Sequence, residues 1–547
     1  MSRAAGLWGA FGASFWQPII RYPRLAAIIL GVAAATGFQP LGWWPMAVAA
    51  MALFATLVAG AADIRRAAVL GWLFGLGHFT LGNNWIATAF THQAEMPAFL
   101  GWFAVPLLSL YLALYPALAA LGARAIAGRA ESTCSGWAFA FAFAGCWTVS
   151  EMLRASVFTG YAWNPFGMVF LGAFSRPGLA ALAPWMGTYA LSGLAVLLAA
   201  TLALLVRERR PVAALAVAVL AAVGMVLPPA GAARQGTVPF TLVQPGLTQD
   251  KLTDPFHYEA NFVVLARNSV RRQADERRLV LWPESGLADY LRPGYPQRYY
   301  DRMTAFADPA LARKRIGEVI GPGSVLLTGA VDLEIEDGYA AGAYNAVTAI
   351  DGRGDIVGGY AKAHLVPYGE YLPMRPLLEP LGLTRLVAGT IDFIPGPGPR
   401  NLDLGSFGMA GVQICYEIVF SGEVVNRLER PDYIFNPSND GWFGRFGPPQ
   451  HLAQARMRAI EEGLPVLRAT TSGISAVIDA RGVVRAYLPM NRADRIDGLL
   501  PPAAEPTPFS RLGLILPFLW AMVFLCAALV AYGRGHRYPS RSHIPAA

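Results

Sequence analysis

Residues 407–420 read FGMAGVQICYEIVF. The run mixes small and branched apolar residues without a charge, as a fully buried strand does, and stops at Cys415 and the polar pair Tyr416-Glu417. A thiol at a strand end sits where a nucleophile can face a pocket. Taken alone, it reads first as a small core hydrophobe, because free cysteine is among the most buried residue types. What surrounds it decides between the two.

Around this stretch, strands are expected at Pro239–Gln244, Arg278–Trp282, Ser324–Leu333, Tyr344–Asp351, Ile356–Tyr360, Gly408–Cys415, Tyr433–Asn436, Val466–Thr471 and Ser475–Ile478. Helical patterns lie at His257–Ala274, Ser421–Glu429 and Pro449–Glu462. Strands with crossover helices in one unit, 238–506, predict an α/β layered domain whose site lies at the C-terminal ends of strands.

The rest of the chain is of another kind. Of 547 residues 54% are hydrophobic and 15% charged, against roughly 25% charged in an average soluble domain. Apolar runs occur at Leu25–Thr36, Leu41–Gly60, Ala67–Leu81, Ala98–Leu121, Gly136–Met152, Gly178–Leu205 and Val212–Leu227, and once more at Leu512–Tyr532. Residues 1–230 therefore read as a membrane bundle of about seven helices, 510–533 as a last span and 534–547 as a tail. The first twenty residues lack a signal-peptide cleavage pattern, so the N-terminus is expected to be retained. Arg21 and Arg24, Arg65 and Arg66, Arg124 and Arg129, and Arg207, Arg209 and Arg210 mark cytoplasmic ends, and the loop 82–97 holds no Lys or Arg. Arg154 and Arg176 run against the pattern but do not reverse it. Eight spans starting inside place 228–506 on the outer face and the arginine-bearing tail inside.

The net charge of +8 comes from scattered arginines with no basic block or aromatic-basic interleaving, which argues against nucleic acid and for lipid headgroups. Of the four cysteines, Cys134, Cys146 and Cys526 lie in or beside apolar runs and Cys415 stands alone, so no disulfide framework is expected. The histidines show no paired ligand spacing, and the Pro395–Arg400 loop has no following Lys-Ser/Thr. Neither a metal nor a cofactor is expected.

Three strand ends carry a reactive group: Glu284 in RRLVLWPES, Lys362 in GGYAKAHLVPYGEY and Cys415 in QICYE. A carboxylate desolvated at a strand end can take a thiol's proton. An ammonium beside them can steady the thiolate and the oxyanion of a tetrahedral intermediate. Each has a plainer reading, Glu284 as the cap of a helix starting at Ser285 and Lys362 as a solvated loop cation. Yet Lys251, Lys314 and Lys362 are the only lysines in an arginine-rich chain, which hints that an ammonium is needed at Lys362.

WPES, YAKAHLVPYGEY and QICYE, followed by FNPSNDGWFG, resemble the bacterial apolipoprotein N-acyltransferases of the nitrilase superfamily over nearly the whole chain. The resemblance implies a transmembrane bundle carrying an inserted nitrilase-like α-β-β-α sandwich in the periplasm, anchored in the bacterial inner membrane. It implies Glu284 as general base, Lys362 as oxyanion stabiliser and Cys415 as nucleophile, with Glu370, Tyr416, Glu417, Trp442 and Phe443 matching further family positions. Bottom-up, Glu370 also reads as a structural partner of Lys362, and Trp442-Phe443 as a packed turn. Where the family commonly has a tryptophan, VQPGLTQDKLTDP offers Leu252 and Thr253.

The implied reaction is a two-step transfer of an acyl chain from a phospholipid, phosphatidylethanolamine by resemblance, through a Cys415 thioester to the α-amine of a diacylglyceryl-modified lipoprotein cysteine. Two rivals remain from the sequence: a membrane-tethered amidase that passes the acyl group to water, and a transporter or scaffold, for which Glu151 is the main intramembrane charge.

Overall fold

The computed structural model describes residues 21–92, 97–129, 133–227, 231–273, 276–378, 380 and 391–537. The expectation for the N-terminus falls on residues 1–20 and that for the tail largely on 538–547, outside the described residues.

Each apolar run forms a helix. In chain order these are α1 (Pro23–Ala35), α2 (Trp44–Ala59), α3 (Ile64–Gly82), α4 (Leu100–Leu112) running on into α5 (Leu114–Ala127), α6 (Thr133–Ser156), α7 (Ala183–Arg207) and α8 (Pro211–Val226). Their starts are locally encoded: prolines open α1, α2, α7 and α8, and Asp63 caps α3 by accepting from the Arg66 N–H. Among the described residues, three segments are long and apolar enough to cross a membrane, Leu100–Ala127, Leu179–Arg207 and Ile515–Arg534. Trp102, Phe103, Leu107, Leu114 and Leu118 line the outside of the first, an apolar face suited to lipid rather than water. Inside the bundle, small residues let backbones meet: a Cβ at Gly31 would run into the Phe74 carbonyl, and one at Gly77 into that of Ile28.

The domain between α8 and the last helix holds two six-stranded sheets. The first has the order β12-β1-β2-β3-β4-β5, from β1 (Pro239–Gln244), β2 (Leu279–Leu281), β3 (Val325–Glu336), β4 (Tyr339–Asp351), β5 (Ile356–Ala361) and β12 (Asp494–Leu499). The second has the order β11-β10-β9-β8-β7-β6, from β6 (Asn401–Asp403), β7 (Met409–Val412), β8 (Tyr433–Ser438), β9 (Val466–Thr470), β10 (Ser475–Ile478) and β11 (Val484–Leu488). Each has a parallel centre, β1-β2-β3 and β7-β8-β9.

Strand periodicity builds the layers. Leu242, Leu281, Leu327 and Ala349 share a core with Ala410, Val412, Phe435 and Leu467 of the other sheet. The alternate residues Val243, Val280, Leu326 and Ile350 face outward against Phe262 and Leu265 of α9 (Tyr258–Asn268) and Ile316 and Ile320 of α10 (Pro309–Ile320). Each such side chain contributes about 1.5–3 kcal/mol on burial.

Beyond the second sheet lies α11 (Gly447–Glu462), which is covered on two sides. Leu452, Ala455 and Ala459 pack on the sheet core, while Ala453, Met457 and Ile460 join the core of the membrane bundle. The chain then re-enters the bundle as α12 (Ile515–Arg537).

Two expectations need correction. Residues 421–429 form turns rather than a helix: Gly422 has φ +84 against Leu514, and Asn426 accepts from the Leu428 N–H, so the backbone finds local partners that a helix would deny it. Cys415 does not end the strand itself; β7 stops at Val412 and Cys415 opens a 3-10 turn, Cys415–Val419.

Candidate active site

The strand ends deliver their side chains to one place. After β2 the chain stays pinned to β3, with the Trp282 N–H on the Leu327 carbonyl at 2.9 Å and the Gly329 N–H on that of Pro283 at 3.1 Å. That presents Glu284, against whose backbone a Cβ at residue 329 would clash. No helix follows Glu284, so it is not a cap. Past β5, the Lys362 N–H bonds the Asn345 carbonyl of β4 at 2.8 Å. Past β7, the backbone turns sharply at Cys415, whose φ of +51 is a left-handed conformation that costs a non-glycine residue about 1–2 kcal/mol.

Lys362 Nζ lies 3.0 Å from Glu370 Oε1 and 3.6 Å from Glu284 Oε1, with 1% of its side chain exposed. The Asn345 amide donates to both carboxylates, at 2.7 Å to Glu284 and 2.8 Å to Glu370. The second oxygens are held by backbone, the Asn439 N–H on Glu284 at 2.7 Å and the Val366 N–H on Glu370 at 2.8 Å. Burial opposes the charge on Lys362, but Glu370 and then Glu284 outweigh it and hold the ammonium well above its ordinary range. Lys362 is thus favoured as a cation between the two carboxylates.

Burial pushes the Cys415 thiol well above its usual value, Glu284 pushes it further, and Lys362 pulls against both. With two carboxylates around one ammonium, the surroundings favour the neutral thiol, so attack by this sulfur would need a base to take its proton.

Glu417 ties the Lys362 and Cys415 segments together. Its Oε1 accepts from the Tyr360 hydroxyl at 2.8 Å and from the Ala363 and His364 N–H groups at 2.8 and 3.1 Å, and its Oε2 from the Ile414 N–H at 2.7 Å. Burial pushes this carboxyl up to about 7, while Lys362 and these donors favour the ionised form.

Two family models match the chain, the apolipoprotein N-acyltransferase N-terminal domain over residues 30–201 and the carbon-nitrogen hydrolase over 252–496. The apolipoprotein N-acyltransferase of Rhodopseudomonas palustris is 35% identical over 532 residues, covering 92% of this chain and 94% of that one. That of Bradyrhizobium diazoefficiens is 35% identical over 522 residues, covering 89% and 91%. The chain belongs to the apolipoprotein N-acyltransferase family. It is an acyltransferase with a nitrilase-like α/β domain of two sheets.

Within this acyltransferase the remaining expected residues sit close by. Tyr416 is buried beside Phe420, in an edge contact at 5.1 Å between ring centres. Phe443 packs among Trp85 and Trp163 of the bundle and His451 of α11, with ring centres 4.7, 5.6 and 5.5 Å away. Trp442 meets His92 at 6.0 Å. Leu252 and Thr253 lie on a short helix, Gln249–Thr253. Its first residue, Gln249, accepts from the Asn439 amide at 3.0 Å, one step from Glu284. Glu151 is a bundle anchor: its Oε1 accepts from the Trp147 indole at 2.9 Å and the Phe166 N–H at 2.7 Å.

Sequence reasoning missed Asn345, Asn439, Gln249 and His451. Asn345 left one signal, a carboxamide within the otherwise apolar run YNAVTAID.

Proposed function

We propose that this acyltransferase moves a fatty acyl chain from a phospholipid, phosphatidylethanolamine in the membrane it occupies, to the α-amine of a lipoprotein's N-terminal diacylglyceryl-cysteine. In the first step Glu284 takes the Cys415 proton as Sγ attacks the ester carbonyl, and Lys362 and backbone N–H groups stabilise the oxyanion. The ester C–O bond breaks, Glu284 returns the proton to the leaving oxygen, and a lysophospholipid departs. In the second step the neutral amine attacks the thioester, Glu284 accepts its proton, and Sγ recovers it as the C–S bond breaks. Aminolysis of a thioester to an amide runs downhill. Glu370 holds Lys362, Glu417 and Tyr416 shape the turn, and Trp442 and Phe443 border the site.

The observation that carries this reading is the meeting of Glu284 and Lys362, 3.6 Å apart, on the buried Cys415 thiol. Its position supports lipid substrates: His364, two residues from Lys362, reaches the Thr159 carbonyl of the bundle at 3.1 Å. We read eight membrane helices, seven before residue 230 and one at 510–533, around a periplasmic domain, 238–506, on the bacterial inner membrane.

Incubation with labelled phospholipid tests it. The wild type should acquire a hydroxylamine-labile label that Cys415→Ala lacks; equal labelling of both, or none on the wild type, defeats the mechanism. A lipopeptide with a free amino terminus should accept the label and its acetylated form should not, whereas equal turnover would mean water is the acceptor.

A further inference from the structure

Among the described residues, one side chain holds the carbonyl of the strained backbone at Cys415. His451 of α11, fully buried, lies with Nε2 3.0 Å from the Cys415 carbonyl oxygen. A carbonyl only accepts, so Nε2 carries the proton whatever the charge of the ring. The other ring nitrogen accepts from Arg468 when the ring is neutral and donates to Asp440 when it is charged. Nδ1 lies 2.9 Å from Asp440 Oδ1 and 3.0 Å from Arg468 Nη2. Arg468 Nη2 also donates to both Asp440 oxygens, at 2.8 and 2.7 Å, and its Nη1 reaches Ser438 Oγ at 2.9 Å. Arg468, Asp440 and His451 are all buried, so this chain of bonds lies away from solvent, where each bond is stronger than in water.

The network joins the two turns that face each other across the site. One opens at Cys415; the other follows β8 and carries the Asn439 N–H that holds Glu284 and Asp440 that holds the imidazole. A left-handed φ at a cysteine relaxes unless its surroundings fix it. Rotation toward an ordinary φ would move Sγ relative to Glu284 and Lys362, the two charges that act on it.

We propose that His451 is a positioning residue for acyl transfer: its Nε2–H, oriented by Asp440 and Arg468, locks the Cys415 carbonyl and so aims the thiol at the base. The proposal rests on the reading of Cys415 as nucleophile.

Glutamine and methionine are unbranched and of similar volume, but only glutamine keeps an N–H near the Nε2 position. His451→Met should therefore slow single-turnover acylation at saturating phospholipid 10- to 100-fold, with KM for the donor within twofold, and His451→Gln should stay within fivefold of wild type. Alkylation of Cys415 by chloroacetamide, which needs no acyl donor, should show the same order, so a failure of the lipid reading leaves this measurement intact. Equal rates for the two variants, or a methionine variant that reacts like wild type, overturn the proposal. If His451→Met does not fold, His451→Gln decides: reactivity within fivefold supports the role, and a tenfold or greater loss at wild-type Tm overturns it.

Discussion

Asn345 offers the sharpest probe of the charge arrangement, because one amide nitrogen donates to Glu284 at 2.7 Å and to Glu370 at 2.8 Å. Asn345→Asp keeps the shape and turns that donor into an acceptor facing two carboxylates. A hydrogen bond to a charged group is worth about 1.5–3 kcal/mol. Losing the Glu284 bond alone corresponds to roughly a 10- to 150-fold slower acylation. Two unit charges about 4 Å apart at an effective dielectric of 20 repel by about 4 kcal/mol, so the new carboxyl is driven to keep a proton. One shared proton restores one of the two bonds, and the deficit against wild type should narrow from pH 8 towards pH 6. Single-turnover transfer from a fluorescent phospholipid at both pH values, with Tm measured alongside, reads this out. A variant within threefold of wild type at pH 8 with unchanged Tm would refute the assigned role of the bridge.

Three further outcomes follow from buried groups. Glu417, pushed up to about 7 by burial, has four donors on it, so protonation must break at least one of them; acylation should fall as pH drops through about 7, and Glu417→Gln should lose that limb along with most activity. Glu462, with neither oxygen hydrogen-bonded, is pushed up to about 7 by burial and by Glu461. Its folded value lies above the unfolded one, so the penalty is absent below the unfolded value, grows as pH rises and is complete above about 7; Glu462→Gln should therefore raise stability by about 3 kcal/mol at pH 8 and leave it unchanged near pH 4, read as Tm in detergent. Gly187 breaks α7 with φ +75 and faces the Phe509 ring; Gly187→Val should cost about 1–3 kcal/mol and lower Tm, and an unchanged Tm would deny the break.

Legibility in the sequence followed the physics of each signal. Apolar runs and period-two alternation are local, so the helices of the bundle and nine of the strands could be placed from them. β6, β11 and β12 escaped because they are short or carry polar side chains, as NLD, VRAYL and DRIDGL show. α10 was legible and overlooked: Asp308 caps it by accepting from the Ala310 N–H, and Pro309 opens it. Glu284, Lys362 and Cys415 could be singled out because each ends an apolar run. Asn345 and Asn439 were not, since a carboxamide announces nothing until its neighbours are in place. The predicted helix at 421–429 gave way to local turns, such as the Leu428 N–H on Asn426, and to the packing of Gly422 on Leu514 just before α12, the second of which the segment itself does not encode.

α11 shows why the domain and the bundle act as one body. Its sequence, GPPQHLAQARMRAIEE, holds two arginines, two glutamates, a histidine and two glutamines, and alone would pass for a helix with one wet face. Instead these side chains are buried, and apart from Glu462 the charged ones are paired or hydrogen-bonded, which is what makes their burial tolerable. Arg456 donates to the Gly172 and Ala173 carbonyls of the bundle at 2.9 and 2.8 Å, and Gln450 accepts from the Trp163 indole at 2.8 Å. Glu461 takes the Thr188 N–H, freed by the break at Gly187, at 2.6 Å, and on the same oxygen the Ser421 hydroxyl at 2.8 Å. Arg458 pairs with Glu461 at 3.0 Å and reaches the Val419 carbonyl at 3.4 Å. The Cys415 turn is therefore gripped at Cys415, Val419 and Ser421 by a helix that is itself bolted to the bundle. Pulling the domain off the bundle would strand several charges without partners, each costing several kcal/mol, so the Cys415 turn is held against the bundle by buried polar bonds rather than by a flexible tether.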